Sequence, residues 1–205
     1  TFKRQNCFGI LAKFNCKYEL ERIMSLQLRS DDFSDGGEIP RECGYKNGNY
    51  SPSLTITNWS ERTETLALIM DDPDAMEPAG KVWVHWVFWN IPTIQRSRDT
   101  PEGREKMKQF YKDNTKGMIF ASGKHLEDLN RDFRHWTGAT EGMTDFDEEG
   151  YGGPAPPDKR HTYVFKLYAL DSRLDLPEGS TKSELEKAME GHIIEQTQLT
   201  GTYAP

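Results

Sequence analysis

Cysteine is scarce in this 205-residue chain. The three that occur, Cys7, Cys16 and Cys43, form no CxxC pair, and their odd number argues against a disulfide framework or a zinc cluster. A reducing compartment fits best. No apolar run approaches the roughly 20 residues that span a bilayer, so no stable membrane insertion is expected. The first residues also lack the apolar stretch and small-residue cleavage site of a secretory signal. The cytoplasm is therefore the expected location. Basic residues are in deficit, 26 against 33 acidic ones, for a formal net charge of -7. This balance argues against nucleic-acid binding and against a basic membrane-surface patch. There is no HExxH, no G-x-S-x-G elbow and no evident activated serine or cysteine nucleophile.

What is present is enough aromatic mass for a real core, with 5 tryptophans and 10 phenylalanines, in a chain long enough for one substantial domain. Residues 1–23 show no clean period and read as an N-terminal extension or leader. From Met24 onward the chain reads as a single domain, 24–205, interrupted by an insertion at about 104–136. Within the insertion Met107, Phe110 and Tyr111, and then Leu126, Leu129 and Phe133, have helical spacing. His125 and His135 lie there with no ligand-spaced partner and read as surface residues.

The rest of the chain is organised around Asp71–Asn90, DDPDAMEPAGKVWVHWVFWN. Pro73 removes a backbone donor and biases Asp72 towards an extended conformation, so the turn should present its carboxylates instead of winding them into a helix. Beyond Val82, alternation places Trp83, His85, Val87 and Trp89 on one face and Val84, Trp86 and Phe88 on the other. Both faces are apolar, as in a covered central strand. A histidine in such a strand needs a partner, which a backbone carbonyl or a nearby aspartate can supply.

Other elements frame it. Leu26 and Leu28 alternate in a first strand, Leu54–Ile56 forms a short one, and Thr65–Met70 (TLALIM) reads as a strand buried on both faces. The loop Gly150–Pro157 (GYGGPAPP) combines permissive glycines with stiffening prolines and suits a pocket wall with exposed N–H groups. His161–Leu170 (HTYVFKLYAL) is a clear strand with His161, Tyr163, Phe165 and Leu167 on one face. Near the end Thr181 and Glu184 fit a capping box, followed by Gly191 and an extended segment to Tyr203.

LALIMDDPDA, WVHWVFWNIP, GYGGPAPPDKRHTYVFKLYALD and the tail from Leu176, together with DGGEIP and TGATEGMTDFDEEGYGG, resemble the phosphatidylethanolamine-binding protein family. The likeness is to its bacterial and archaeal, Raf-kinase-inhibitor-like branch. It begins near Met24 and leaves out most of the insertion. The resemblance implies a mainly β, β-rich α+β fold with a central antiparallel sheet, a C-terminal helix and an anion pocket at one end. By motif, it places ligand-binding roles on Asp72, Asp74, Trp83, His85, Gly153, Ala155, Pro156, Pro157, His161 and Tyr163. The chain departs from the family pattern at Met76, where a proline is usual, and at Thr162 and Lys159, which replace an arginine and a glycine. If that arginine braces the aspartate turn, an ion pair is missing, or Lys159, Arg160 or Lys166 substitutes.

The chemistry of these residues supports such a pocket. His85 and His161 offer N–H donors to phosphate oxygens, Asp72 can orient one imidazole, and Tyr163 adds a hydroxyl. Trp83 adds an apolar or cation-binding wall. The set suits a phosphate-type anion or a phosphoethanolamine-like head group, with no cofactor and no resident metal. The preferred reading is a non-enzymatic binding protein that regulates or inhibits a protease or kinase, and the resemblance leaves room for a homodimer. The alternatives are a metal-dependent hydrolase using Asp72, His85 and His161, and an interaction scaffold acting through the insertion.

Overall fold

Nine strands order the chain in the computed structural model, which describes residues 25–93, residues 139–205 and the backbone of residues 117–120. They are β1 (Gln27–Arg29), β2 (Gly37–Glu38), β3 (Leu54–Thr57), β4 (Thr65–Asp72), β5 (Trp83–Pro92), β6 (Gly117–Phe120), β7 (Thr140–Glu141), β8 (His161–Leu170) and β9 (Ile193–Tyr203). The expected extension over residues 1–23, the two helical patterns of the insertion, His125 and His135 lie outside the described residues. The mainly β architecture is as expected, with two qualifications. The large sheet, β2-β9-β8-β4-β5-β7, is antiparallel except where β2 runs parallel to β9. The insertion, where the spacing suggests helices, contributes β6, which pairs with β3 to complete a small β1-β3-β6 sheet. Met118, Ile119 and Phe120 form too short an apolar run for periodicity to distinguish strand from helix.

β4 lies at the centre of the large sheet between β5 and β8, and all eight of its residues are buried. Its alternation serves two separate cores. Leu66, Leu68 and Met70 join Leu28, Leu54, Ile56, Phe165 and Leu167 in a cluster that links the two sheets. Ala67 and Ile69 join Val87, Trp89, Leu185 and Met189 beneath the helix Lys182–Met189. That helix starts with the expected capping box. Thr181 Oγ1 accepts the Glu184 N–H, and Glu184 Oε2 accepts the Thr181 N–H at 2.8 Å, an arrangement worth about 1 kcal/mol. Among the described residues no helix is long and apolar enough to cross a membrane.

On β5 the expected faces are wrong, and the cause is a β-bulge. Met70 pairs with Trp86 and Asp71 with Val84, so His85 is the extra residue. One inserted residue reverses the alternation on its N-terminal side. Val84 consequently packs with Val87 and Trp89 against the helix-side core. His85 turns to the opposite side, where its ring meets Tyr163 edge-on at 5.1 Å between centroids. The bulge delivers the histidine to the same side of the sheet as β8's first residues.

Candidate functional site

The site forms where β4 ends, β8 begins and the bulge of β5 comes alongside. By alternation Asp71 and Asp72 leave β4 on opposite faces. Asp71 points to the helix side, where Oδ2 accepts from Lys166 Nζ at 2.6 Å and Lys182 Nζ at 2.7 Å. Asp72 points to the His85 side. It is extended, at φ −111°, as Pro73 demands, yet the acidic turn does wind up. Pro73–Ala75 forms one turn of 3-10 helix capped by Asp72 Oδ1, which accepts the Ala75 N–H at 3.1 Å, and Met76–Ala79 adds a short α-helical turn. Proline is not only a helix breaker. At the first helical position its missing N–H costs nothing, and an aspartate is the matching cap. Met76, in the place of the family proline, is helical and exposed.

His161 opens β8 and is 1% exposed. Its Nδ1 lies 2.7 Å from Asp72 Oδ2, and its Nε2 lies 2.9 Å from Asp158 Oδ1. A carboxylate at each nitrogen requires a proton on each, so this geometry selects the imidazolium. Burial opposes the charge, but the hydrogen bonds and charges of Asp72 and Asp158 outweigh it and hold the His161 pKa above its ordinary value. His161 is buried, and the partly exposed Asp158 lies over it.

His85 is 2% exposed and behaves in the opposite way. Its Nδ1–H donates to the Gly152 carbonyl at 2.7 Å, while the Gly152 N–H donates to the His85 carbonyl at 2.8 Å. Burial lowers its pKa despite the Gly152 and Gly153 backbone and the Asp72 charge. The expectation that both histidines offer N–H donors to an anion thus needs correcting for His85. Its one proton in the neutral ring is already committed to Gly152. Tyr163, fully buried between the histidine and the core, has its hydroxyl close to Asp72 and to the Ala155 backbone without a well-aligned hydrogen bond among the described residues. Burial, and next the Asp72 charge, push its pKa far up, so it remains a neutral donor.

The remaining predicted residues form the frame. Asp74 Oδ2 accepts the Thr162 N–H at 2.7 Å, tying the aspartate turn to β8 through backbone. None of the basic candidates braces Asp72 or Asp74 by an ion pair: Lys159 pairs with Glu77, Arg160 with Glu38 and Lys166 with Asp71. The Gly153 N–H donates to Asn49 Oδ1 at 2.7 Å. Ala155 is half-buried, Pro156 buried and Pro157 exposed, and the chain passes from them directly to Asp158. Trp83 stands edge-on to Phe146 at 5.5 Å between centroids, and Lys81 Nζ lies 4.8 Å above the Trp83 ring. Trp83 Nε1 is buried without a partner among the described residues.

Three contributors were missed from sequence. Phe146 bridges Trp83, His85 and the stacked Tyr45 ring. Its motif was in view, but nothing local showed where the ring would lie. Tyr45 carries no sequence signal at all. Asp158 does, being an acidic residue three positions before a histidine at a loop end. Among the described residues, no three His, Cys, Asp or Glu side chains come together as a group able to hold a metal ion.

The two imidazoles should titrate on opposite sides of the ordinary value of about 6.5. His161 contributes stability that is fully present below that value and is lost as pH rises through its raised folded pKa. His85 contributes stability present above it and lost as pH falls through its lowered one. Between them they place a stability maximum near pH 6.5. An NMR titration of the ring C–H signals checks this, and coincident midpoints would contradict it.

The comparisons with known proteins agree with this geometry in family and fold. The phosphatidylethanolamine-binding protein family model matches residues 29–204. A UPF0098 protein of Pyrococcus horikoshii is 36% identical over 185 residues, covering 89% of this chain and 78% of the relative. One from Methanothermobacter thermautotrophicus is 34% identical over 178 residues, covering 87% and 98%. The crystal structure of a phosphatidylethanolamine-binding protein homologue from Chlamydia trachomatis D/UW-3/CX matches with a TM-score of 0.66 at 30% identity, covering 88% of this chain and 97% of its own. E. coli YbcL, a member of the mammalian PEBP family, also matches at 0.66, with 26% identity and coverages of 87% and 98%. With its family model spanning nearly all the described sequence and relatives above 30% identity over most of both chains, this chain belongs to the phosphatidylethanolamine-binding protein family.

Proposed function

We propose that the chain is a non-enzymatic binding protein for small phosphate-type anions or phosphoethanolamine-like head groups, and a regulator or inhibitor of a protease or kinase. The observation that carries the reading is His161. The buried His161 ring is bonded to Asp72 at Nδ1, its pKa is raised, and its Nε2 faces the partly exposed Asp158 carboxylate, whose place a ligand oxygen would take. The Tyr163 hydroxyl, beside Asp72, is a second donor nearby. Charge-assisted N–H···O bonds of this kind are the strong ones for phosphate oxygens. An ammonium carried by the same ligand would find Asp74 or Asp158 close by, and Trp83 as an aromatic wall. The metal-dependent alternative has weaker support, because among the described residues no three His, Cys, Asp or Glu side chains are grouped so that they could hold a metal ion.

Titration calorimetry with phosphoethanolamine tests the reading. The unaltered protein should bind and His161→Ala should lose at least about tenfold in affinity, the equivalent of one charge-assisted hydrogen bond. Equal binding by both would remove His161 from the site.

A further inference from the structure

The outward nitrogen of His161 is already occupied. Asp158 Oδ1 lies 2.9 Å from Nε2, in the position where the proposed ligand would put a phosphate oxygen. The contact is local, between residues three apart, and its carboxylate is 38% exposed while the imidazole is fully covered. Asp72, by contrast, is buried and doubly used, bonded both to His161 and to the Ala75 N–H. One carboxylate is thus built in, and the other can leave into solvent by a side-chain rotation at the end of the Pro156-Pro157 loop. Apart from His161, the Asp158 carboxylate has only the backbone N–H groups of its own turn, those of Lys159 and of Asp158 itself, to accept from.

We propose that Asp158 is an internal competitor at the anion position and the specificity-determining residue of the site. It discriminates against bare anions in favour of phosphoesters that carry their own positive charge. This inference rests on the binding reading above and goes further, to the class of ligand. A bare phosphate must displace Asp158 from His161 and then sit beside the displaced carboxylate, with two negative groups facing one imidazolium. A zwitterionic phosphoester makes the same exchange but brings an ammonium to the displaced Asp158, so the carboxylate trades one cation for another. Lys159 faces Glu77 and Arg160 faces Glu38 in exposed pairs, which hold either cation only weakly.

The test measures Kd for inorganic phosphate and for phosphoethanolamine on the unaltered protein, Asp158→Ala, Asp158→Asn and His161→Ala. The unaltered protein should prefer phosphoethanolamine. Asp158→Ala should tighten phosphate roughly tenfold and reduce that preference by a similar factor, the size expected for one charge-assisted contact. Asp158→Asn, which removes the charge but keeps an acceptor for Nε2, should fall between the two. Asp158→Ala removes a partner of the buried His161 ring and should lower thermal stability, whereas Asp158→Asn keeps an acceptor for Nε2 and should lower it less, so binding is compared at a temperature where every variant is folded. If Asp158→Ala binds phosphate no better while His161→Ala loses phosphoethanolamine, the competitor role is wrong and the binding site stands. If neither the unaltered protein nor Asp158→Ala binds either probe, the binding reading fails and takes this inference with it.

Discussion

Asp72→Ala is expected to lower the free energy of unfolding by about 3–5 kcal/mol near pH 6, because it strands a covered imidazolium without its inner partner. Asp72 has two duties, and pH separates them. One oxygen caps the 3-10 turn through the Ala75 N–H, a contribution of about 1 kcal/mol that does not depend on the charge of His161. The other holds His161 Nδ1 at 2.7 Å. That second contribution is present below the ordinary imidazole value and disappears as pH rises through the raised His161 pKa. Urea unfolding of both proteins, near pH 6 and again well above the His161 midpoint, should show the gap shrinking towards the cap alone. A gap that stays constant between the two conditions would mean that the ion pair adds nothing to folding.

Gly153→Ala should cost about 3 kcal/mol or more, through overpacking and not through backbone conformation. A Cβ at this position would sit 2.1 Å from the Cys43 carbonyl oxygen and 2.7 Å from the Tyr45 nitrogen. Both obstacles are backbone atoms, so no flexible side chain can move aside. Relief would require the loop to separate from residues 43–45. That would break the Tyr45 N–H bond to the Pro154 carbonyl at 3.0 Å and disturb the Asn49 contact to the Gly153 N–H. Gly80→Ala is the natural control. Gly80 ends the short helix at φ +72° with nothing within 4 Å, so alanine there meets only the left-handed penalty of about 1 kcal/mol. Denaturant midpoints for the two variants should differ clearly, and a Gly153→Ala protein no weaker than Gly80→Ala would refute the packing account.

Much of the fold was legible wherever the relevant physics is local. β8 alternates as written, with His161, Tyr163, Phe165 and Leu167 buried on one face. β4 was readable from its unbroken apolar run, and the C-terminal helix from its cap. The failures came where a local rule met a long-range partner. Strict alternation on β5 assumed an uninterrupted ladder, but the loop containing Asp145 and Gly152 supplies partners for the bulged backbone. Val84 N–H donates to Asp145 Oδ2 at 2.7 Å, Asp145 N–H to the Val84 carbonyl, and Gly152 N–H to the His85 carbonyl. Those bonds satisfy groups that an extra residue would otherwise leave unpaired, and no pattern within β5 announces them.

The candidate site divides in the same way. By itself the sequence determined which residue types were available and that Asp72, His85, His161 and Tyr163 fell in family motifs, because motifs and strand periods are properties of neighbouring residues. Only the tertiary structure decided how they are used. It turned His85 towards Tyr163 by a bulge, sent Asp71 and Asp72 to opposite cores, committed the His85 proton to Gly152 and set Asp158 against His161. Protonation state and donor availability depend on burial and on which charges come within hydrogen-bonding distance, and in this chain those charges are brought together from strands 89 residues apart, as Asp72 and His161 are.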